Sequence, residues 1–487
     1  MKRIVVLMLC TLLCWLLISC GKEDEPRQRE TTAHSNTGTV SPTMTQTVDE
    51  TPTPETTNTP IQVISPSSIP TVELIGSPTP TLELTPTFTQ TPTISPTPVI
   101  TIPTIEDVTI SENVFPDQVF REYVMAYIDK DYNGVLTSEE IWNVEEIALG
   151  KTSDATNLSG IEIFKNLRSL QIHAGVTGTF DASVFPELLV LDCSESSISD
   201  IEFGNDGKLS ELYCENMYFP DHFDVRGCQN LKIFRVSGTW LSDINCHGCK
   251  SLEELVCGDC GNLQSIDVGE CTELRTVSFS GPPMAQHFES IDLSGCVKLE
   301  TVYLWRNNIT NLDLSDCISL VELDCGDNNI TTLKVSNCSK LKRLRCQRNQ
   351  LYTLDLSNCA SLQELYCEEN KIMHIELNAC KELEEIDISG NMLSELDLSG
   401  LGRLRQVNCA DNSIEKLSIE ECIALEELKC GGNKFDTLDV SKCGTELVEG
   451  EQYTLLIKDI DPNINILRIK GQIIGVMERN GSMYILE

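Results

Sequence analysis

Residues 320–340 read Leu320-Val321-Glu322-Leu323-Asp324-Cys325-Gly326-Asp327-Asn328-Asn329-Ile330-Thr331-Thr332-Leu333-Lys334-Val335-Ser336-Asn337-Cys338-Ser339-Lys340, and Leu341 opens the same pattern again. Opening leucines recur at Leu167, Leu188, Leu209, Leu231, Leu252, Leu274, Leu299, Leu320, Leu341, Leu362, Leu383, Leu404 and Leu425, spaced by 21 or 22 residues except for one step of 25. Thirteen units at a fixed period make chance untenable as an explanation. Each unit reads as one turn of a solenoid whose strands stack about 4.8 Å apart. The column Asn307, Asn328, Asn349, Asn370, Asn391, Asn412 and Asn433 is then expected to be a buried amide ladder, serving backbone groups that no sheet satisfies at the bend. Leu312, Leu333, Leu354, Ile375, Leu396, Leu417 and Leu438 fill the far side of the core.

The pattern resembles the leucine-rich-repeat consensus LxxLxLxxN/CxL over residues 167 to about 443, and more particularly the short repeats of internalin-like bacterial surface proteins. The resemblance implies a β-dominated leucine-rich-repeat solenoid over 151–443. Segment 444–487 has short strand-like runs and an Asn480-Gly481 turn, and it reads as a β-rich C-terminal cap.

Cysteine is abundant, at 23 residues. Cys246-His247-Gly248-Cys249 and Cys257-Gly258-Asp259-Cys260 imitate a zinc site. The repeat grid removes that meaning. Cys257 shares a column with Cys325, Cys346 and Cys367, where other units place Val236, Phe279, Leu304 and Ile388; Cys249 shares one with Cys338 and Cys359, where Leu401 substitutes. Exchange with Leu, Ile and Val marks a small buried hydrophobe. Strand spacing near 4.8 Å exceeds the Cβ separation of a disulfide, so mostly free thiols are expected.

Ahead of the repeats, Asp129-Lys130-Asp131-Tyr132-Asn133-Gly134-Val135-Leu136-Thr137-Ser138-Glu139-Glu140 matches the EF-hand loop at each diagnostic position. Asp129, Asp131 and Asn133 offer side-chain oxygens, Val135 its carbonyl and Glu140 two oxygens, a set suited to Ca²⁺. The competing reading is a plain turn with a Thr137/Glu140 capping box, which leaves three oxygen-bearing side chains crowded without a cation. A helix from Pro116 to Ile128 and an exit helix through Ile141, Val144 and Ile147 are expected, making 106–150 a helical EF-hand cap. EF-hands usually pair. The first leucine-rich turn is the expected partner of this lone loop.

Lys2 and Arg3 precede an apolar run from Ile4 to Ile18, and Leu17-Ile18-Ser19-Cys20 resembles the bacterial lipobox. That resemblance implies that 1–20 is a lipoprotein signal and that Cys20 carries the lipid. Residues 21–105 hold 14 of the 20 prolines, from Pro26 to Pro103, and read as a disordered Thr/Pro-rich tether. The expected location is therefore the extracellular face of a bacterial membrane, lipid-anchored and exposed at or through the cell wall.

A formal net charge of −38 argues against a nucleic-acid partner. No nucleophile–base constellation recurs, so no enzyme is expected. The period-2 rule points positions two, four and six after each opening leucine away from the core, so that they line the concave face. Most are small or acidic, but Tyr303, Trp305, Arg343, Arg345 and Tyr366 break that pattern within four consecutive turns. Such side chains concentrate interface energy. These residues are the candidate binding site for a protein or surface glycan, with a structural envelope spacer as the alternative function.

Overall fold

The computed structural model describes residues 105–443, apart from 151–153, 174, 205–206, 218–221, 282–287, 436 and 441–442, and beyond them the backbone of four strands between 453 and 486. Chain contacts divide the protein into two units, Met1–Thr93 and Ile94–Glu487, and all described residues lie in the second. The expected signal peptide, Cys20 and nearly all of the expected tether lie outside the described residues.

Each turn contributes one strand of about three residues to a long parallel sheet. Thr301–Tyr303 pairs with Glu322–Asp324, that strand with Arg343–Arg345, and so on through Glu427–Lys429. The 17 strands follow one another in a line, each bonded to the turn before and the turn after. No pairing among them joins the first strand to the last, so the sheet is an open ladder. The 25-residue step leaves the register intact, because Thr276 still faces Thr301. Shorter parallel ladders on the opposite side, such as Asn311–Asp313 with Thr332–Lys334, close each turn. This is a leucine-rich-repeat solenoid.

Between the two sides one continuous apolar core runs from Phe115 to Cys443. The central residue of each sheet strand points inward and its neighbours point out, as Leu323 does between Glu322 and Asp324. The asparagine ladder forms as expected. Asn349 Nδ2 donates to Cys325 O (2.9 Å) in the previous turn and to Cys346 O (3.1 Å) in its own, while Oδ1 accepts from Ile330 N at 2.8 Å. The residue before each ladder position is left-handed, including Asp327, Arg348, Glu369 and Asp411, with φ between 52° and 54°. That conformation costs a non-glycine residue about 1 kcal/mol. It is offset by an inter-turn bond such as Asp327 N to Gln347 O at 3.0 Å.

All 20 cysteines of the described region are buried, and none is in a disulfide. They do more than fill space. In the second column the thiols sit on carbonyls of the preceding turn: Cys249 on Val225 O (3.2 Å), Cys338 on Leu314 O (3.5 Å), Cys422 on Leu398 O (3.1 Å). A weak S–H donor thus adds a second bond to a carbonyl that already accepts a backbone N–H at the second bend.

The N-terminal segment departs from expectation in three places. Its helix spans only Gln118–Tyr123, capped by Asp117, and gives way to a π turn over Val124–Ile128. The exit helix stops at Trp142, so Ile147 lies instead in Glu146–Leu149, the first strand of the long sheet. The loop's strand partner is Val108–Thr109, from just ahead of the entering helix, and not the first leucine-rich turn. After Glu427–Lys429 the sheet continues through Tyr453–Lys458 and Ile473–Arg479 and ends in an antiparallel pairing of Ile473–Arg479 with Ser482–Leu486. The expected turn residues 480–481 lie outside the described residues. Among the described residues no helix is long and apolar enough to cross a membrane.

Candidate functional site

Four of the five residues singled out on the sheet face, Tyr303, Arg343, Arg345 and Tyr366, come together. In register, Tyr303 faces Asp324, Asp324 faces Arg345, and Arg345 faces Tyr366. Arg343 stands beside Glu322 on the adjoining position of the same strands. Glu322, with only 12% of its side chain exposed, is the hub. It pairs with Arg343 and, at 3.4 Å, with Arg345. Arg345 reaches the other way to Glu364 at 3.3 Å, and its guanidinium lies 5.3 Å from the Tyr366 ring centre. The Tyr366 hydroxyl donates to Glu385 at 2.6 Å. Trp305 stands apart from this network and is covered by the guanidinium of Arg306, 4.7 Å from its ring centre.

The electrostatics follow from that packing. Burial first, and then the Glu322 charge, push the Tyr303 phenol up to about 12. Its hydroxyl stays protonated at neutral pH and is engaged with Glu322. Burial also raises Asp324, against the opposing pull of the Gly326 amide and Arg345. The arginines are thus already neutralised within the cluster, and the surrounding face, with Glu322, Asp324, Glu364, Glu385 and Asp387, remains acidic. A partner would meet tyrosine edges and carboxylates more readily than free guanidinium groups. Glu322, Glu364 and Glu385 were not singled out from sequence. Their spacing of 21 from one another or from Arg343 was available as a signal, but which acid captures which arginine is a rotamer outcome. A smaller version of the motif joins Tyr213, Arg235 and Glu254 nearer the N-terminus.

A second site lies at the calcium-type loop. Asp129 follows the π turn, its N–H bonded to Val124 O at 3.1 Å. It is 2% exposed, and its carboxylate accepts from Asn133 N (3.3 Å) and Gly134 N (2.8 Å). Gly134 takes φ of +79°, where a side chain would be strained. Asn133 Oδ1 accepts from Val135 N at 2.7 Å. Glu140 returns across the loop to Lys130 N (2.7 Å) and also closes the capping box on Thr137. Burial alone would raise its pKa, but the hydrogen bonds from Thr137 and Lys130 outweigh it and hold the carboxyl below its ordinary value.

Carboxylate oxygens of Asp129, Asp131 and Glu140 lie within 4.8 Å of one another. Among the described residues this is the only His/Cys/Asp/Glu group so gathered. An open cleft of about 700 Å³, lined in part by Tyr127, Lys130, Asp131 and Glu140, gives solvent access to it. Three carboxylates plus Asn133 form an all-oxygen donor set that fits a hard divalent ion. The cysteines of the two CxxC motifs do not form such a group.

Residues 382–404 match the Leucine Rich Repeat family profile. No curated protein sequence matches the chain. Among solved structures, the functional domain of InlJ from Listeria monocytogenes, which includes a cysteine ladder, is 22% identical, with a TM-score of 0.52 over 74% of this chain and 84% of that one. An internalin, InlF, from the same organism is 18% identical, with a TM-score of 0.44 over 75% and 98%. A leucine-rich-repeat protein of Leptospira interrogans is 16% identical, with a TM-score of 0.38 over 61% and 92%. The likeness to InlJ is a likeness of fold.

Proposed function

We propose that this chain is a non-enzymatic, lipid-anchored bacterial surface protein whose solenoid binds a protein or a surface glycan through the exposed face of its long sheet. A calcium ion held by Asp129, Asp131, Asn133, the Val135 carbonyl and Glu140 braces the first turn. The observation that carries the binding function is the Tyr303–Glu322–Arg343–Arg345–Tyr366 cluster. It is a pre-ordered aromatic and polar patch on an otherwise small and acidic face, and such patches lose little side-chain entropy on binding. The motif ending at Cys20 and the Thr/Pro-rich stretch support anchoring and reach.

One observation favours the spacer function: every arginine of the patch is already paired within it, as expected of a face balancing its own charge. The two are separated by capture from envelope extracts on the mature chain, with and without Tyr303→Ala, Trp305→Ala and Arg345→Ala combined. Loss of capture by at least tenfold in a variant with unchanged circular dichroism is expected. Equal capture by both moves the site elsewhere on the solenoid, and no capture by the parent chain leaves the spacer function.

A further inference from the structure

In the turn opened by Leu252, the sequence Cys257-Gly258-Asp259-Cys260 places two thiols where other turns have a thiol and an amide. Cys325, Cys346, Cys367, Cys409 and Cys430 are each followed three residues later by a ladder asparagine; Cys257 is followed by Cys260. The left-handed Asp259, with φ of +54°, turns the second sulfur inward. The two sulfurs stand 3.3 Å apart, with the Cys257 S–H directed at Cys260. The Thr239 hydroxyl lies 3.2 Å from the same sulfur, and the Cys260 thiol in its resting form donates to Val236 O at 3.0 Å. A cavity of about 10 Å³ touches both sulfurs and is bounded by Leu263, Phe279, Ser280 and Asn307. That is room for about one water-sized molecule.

We propose that Cys257 and Cys260 form a redox-active dithiol, which hydrogen peroxide oxidises to a disulfide within the single turn. The Cys260 thiolate attacks one peroxide oxygen, the O–O bond breaks, and the departing hydroxide takes up a proton to become water. Cys260 then carries S–OH. Cys257 loses its proton, attacks the Cys260 sulfur and breaks the S–O bond, and the second hydroxide leaves as water. Two thiols lose two electrons and peroxide gains them, so the sum is one disulfide and two waters. The sulfurs need close only from 3.3 Å to about 2.05 Å.

The electrostatics single out this pair. Hydrogen bonding from Cys257, and then from Thr239, outweighs burial and brings the Cys260 thiol down to about 7, where a thiolate is accessible. Elsewhere burial is the main cause, raising Cys338 to about 11 and, with help from neighbouring groups, Cys359 to about 12. Cys193 and Cys214, in adjacent turns, also approach to 3.5 Å, but burial holds Cys214 well above its ordinary range. That pair is the internal control. The cavity excludes larger disulfide oxidants, and peroxide, with two oxygens, enters it by displacing the lining side chains.

The test is a brief peroxide pulse on the folded chain, followed by alkylation in denaturant and mass spectrometry of the tryptic peptide 251–275. We expect this peptide to be two hydrogens lighter, with Cys271 alkylated and Cys257 and Cys260 not, while Cys193 and Cys214 are both alkylated. Cys257→Ser should stop at a sulfenic acid on Cys260 that dimedone labels. Cys260→Asn restores the ladder amide, keeps the fold and should leave Cys257 alkylatable. Alkylated Cys257 and Cys260 in the pulsed parent chain, or oxidation spread evenly over the 20 thiols, would overturn the assignment.

Discussion

At the scale of single residues, Glu368 is the outlier. It occupies an outward position of the sheet, yet its Oε2 and the neighbouring Gln347 Oε1 are buried without a hydrogen-bond partner. Burial raises its pKa from 4.5 to about 7. Because the folded value is the higher one, the folded state holds the proton more tightly. The resulting stability is complete below pH 4.5 and is lost as pH rises through 7. Glu368→Gln should therefore leave stability at pH 5 nearly unchanged and raise it at pH 8 by on the order of 1 kcal/mol, after discounting for screening at a partly open site. Urea unfolding at both pH values measures this, and a variant with the same pH slope as the parent would contradict it. The ladder makes a sharper case. Asn349→Ala strands Ile330 N in the core and takes from the carbonyl of Cys325 one of its two donors, the other being Asn328 Nδ2, at a cost of roughly 2 kcal/mol. Asn349→Cys should cost less, because Cys260 already shows a thiol serving the equivalent carbonyl of Val236. Equal losses in the two variants would mean that the thiol contributes only volume.

Among elements, the calcium-type loop joins the cap to the solenoid, since Glu140 sits in the short helix Ser138–Trp142, which closely precedes the first sheet strand, Glu146–Leu149. Glu140 serves two structures, so its removal confounds a lost cation with a lost helix cap. Asp129→Asn with Asp131→Ala is the cleaner change. At a calcium concentration about 100 times the dissociation constant, the parent chain should gain about 2.7 kcal/mol and the double variant almost none. Thr137→Ala should lose about 1 kcal/mol with or without calcium, as a capping defect does. Calorimetry giving the double variant the parent's calcium response would remove the metal from the account. This region also marks how far the sequence could be read. The leucine period set the sheet strand of each of its thirteen turns, and the asparagine column announced its own ladder, because both signals recur, thirteen and seven times. Val108–Thr109 could not be read as a strand, since two residues carry no periodicity. The π turn before Asp129 replaces helix that propensity favours. On the sheet face, columns placed Tyr303, Arg345 and Tyr366 together, but the capture of both arginines by Glu322 depends on side-chain packing, which spacing alone does not encode.

Over the whole molecule, the ladder positions are not uniform. From Asn307 to Asn433 each turn has its amide, whereas the earlier turns put Ser196, Met217, Thr239 and Cys260 there. Met217 is buried and offers the bend no N–H donor, and a serine, threonine or thiol replaces fewer bonds than asparagine's four. In a solenoid, stability is close to a sum of turn and nearest-neighbour contributions, so a run of weaker bends opens as a block. The N-terminal turns from Leu188 to Leu274 should thus unfold before those from Leu299 to Leu425. The cysteines report on both, because each half carries buried thiols that react only when their turn opens. Pulsed alkylation across a urea series should modify Cys193, Cys214, Cys228 and Cys249 at a lower midpoint than Cys338, Cys359, Cys380 and Cys422. A deficit of a few kcal/mol, at a slope of about 1–3 kcal/mol per molar urea, separates the two midpoints by about 1 M. Replacing Met217 and Thr239 with asparagine should close that gap from below. If all eight thiols shared one midpoint in the parent chain, the solenoid would be a single cooperative unit and the amide column would not set where it opens.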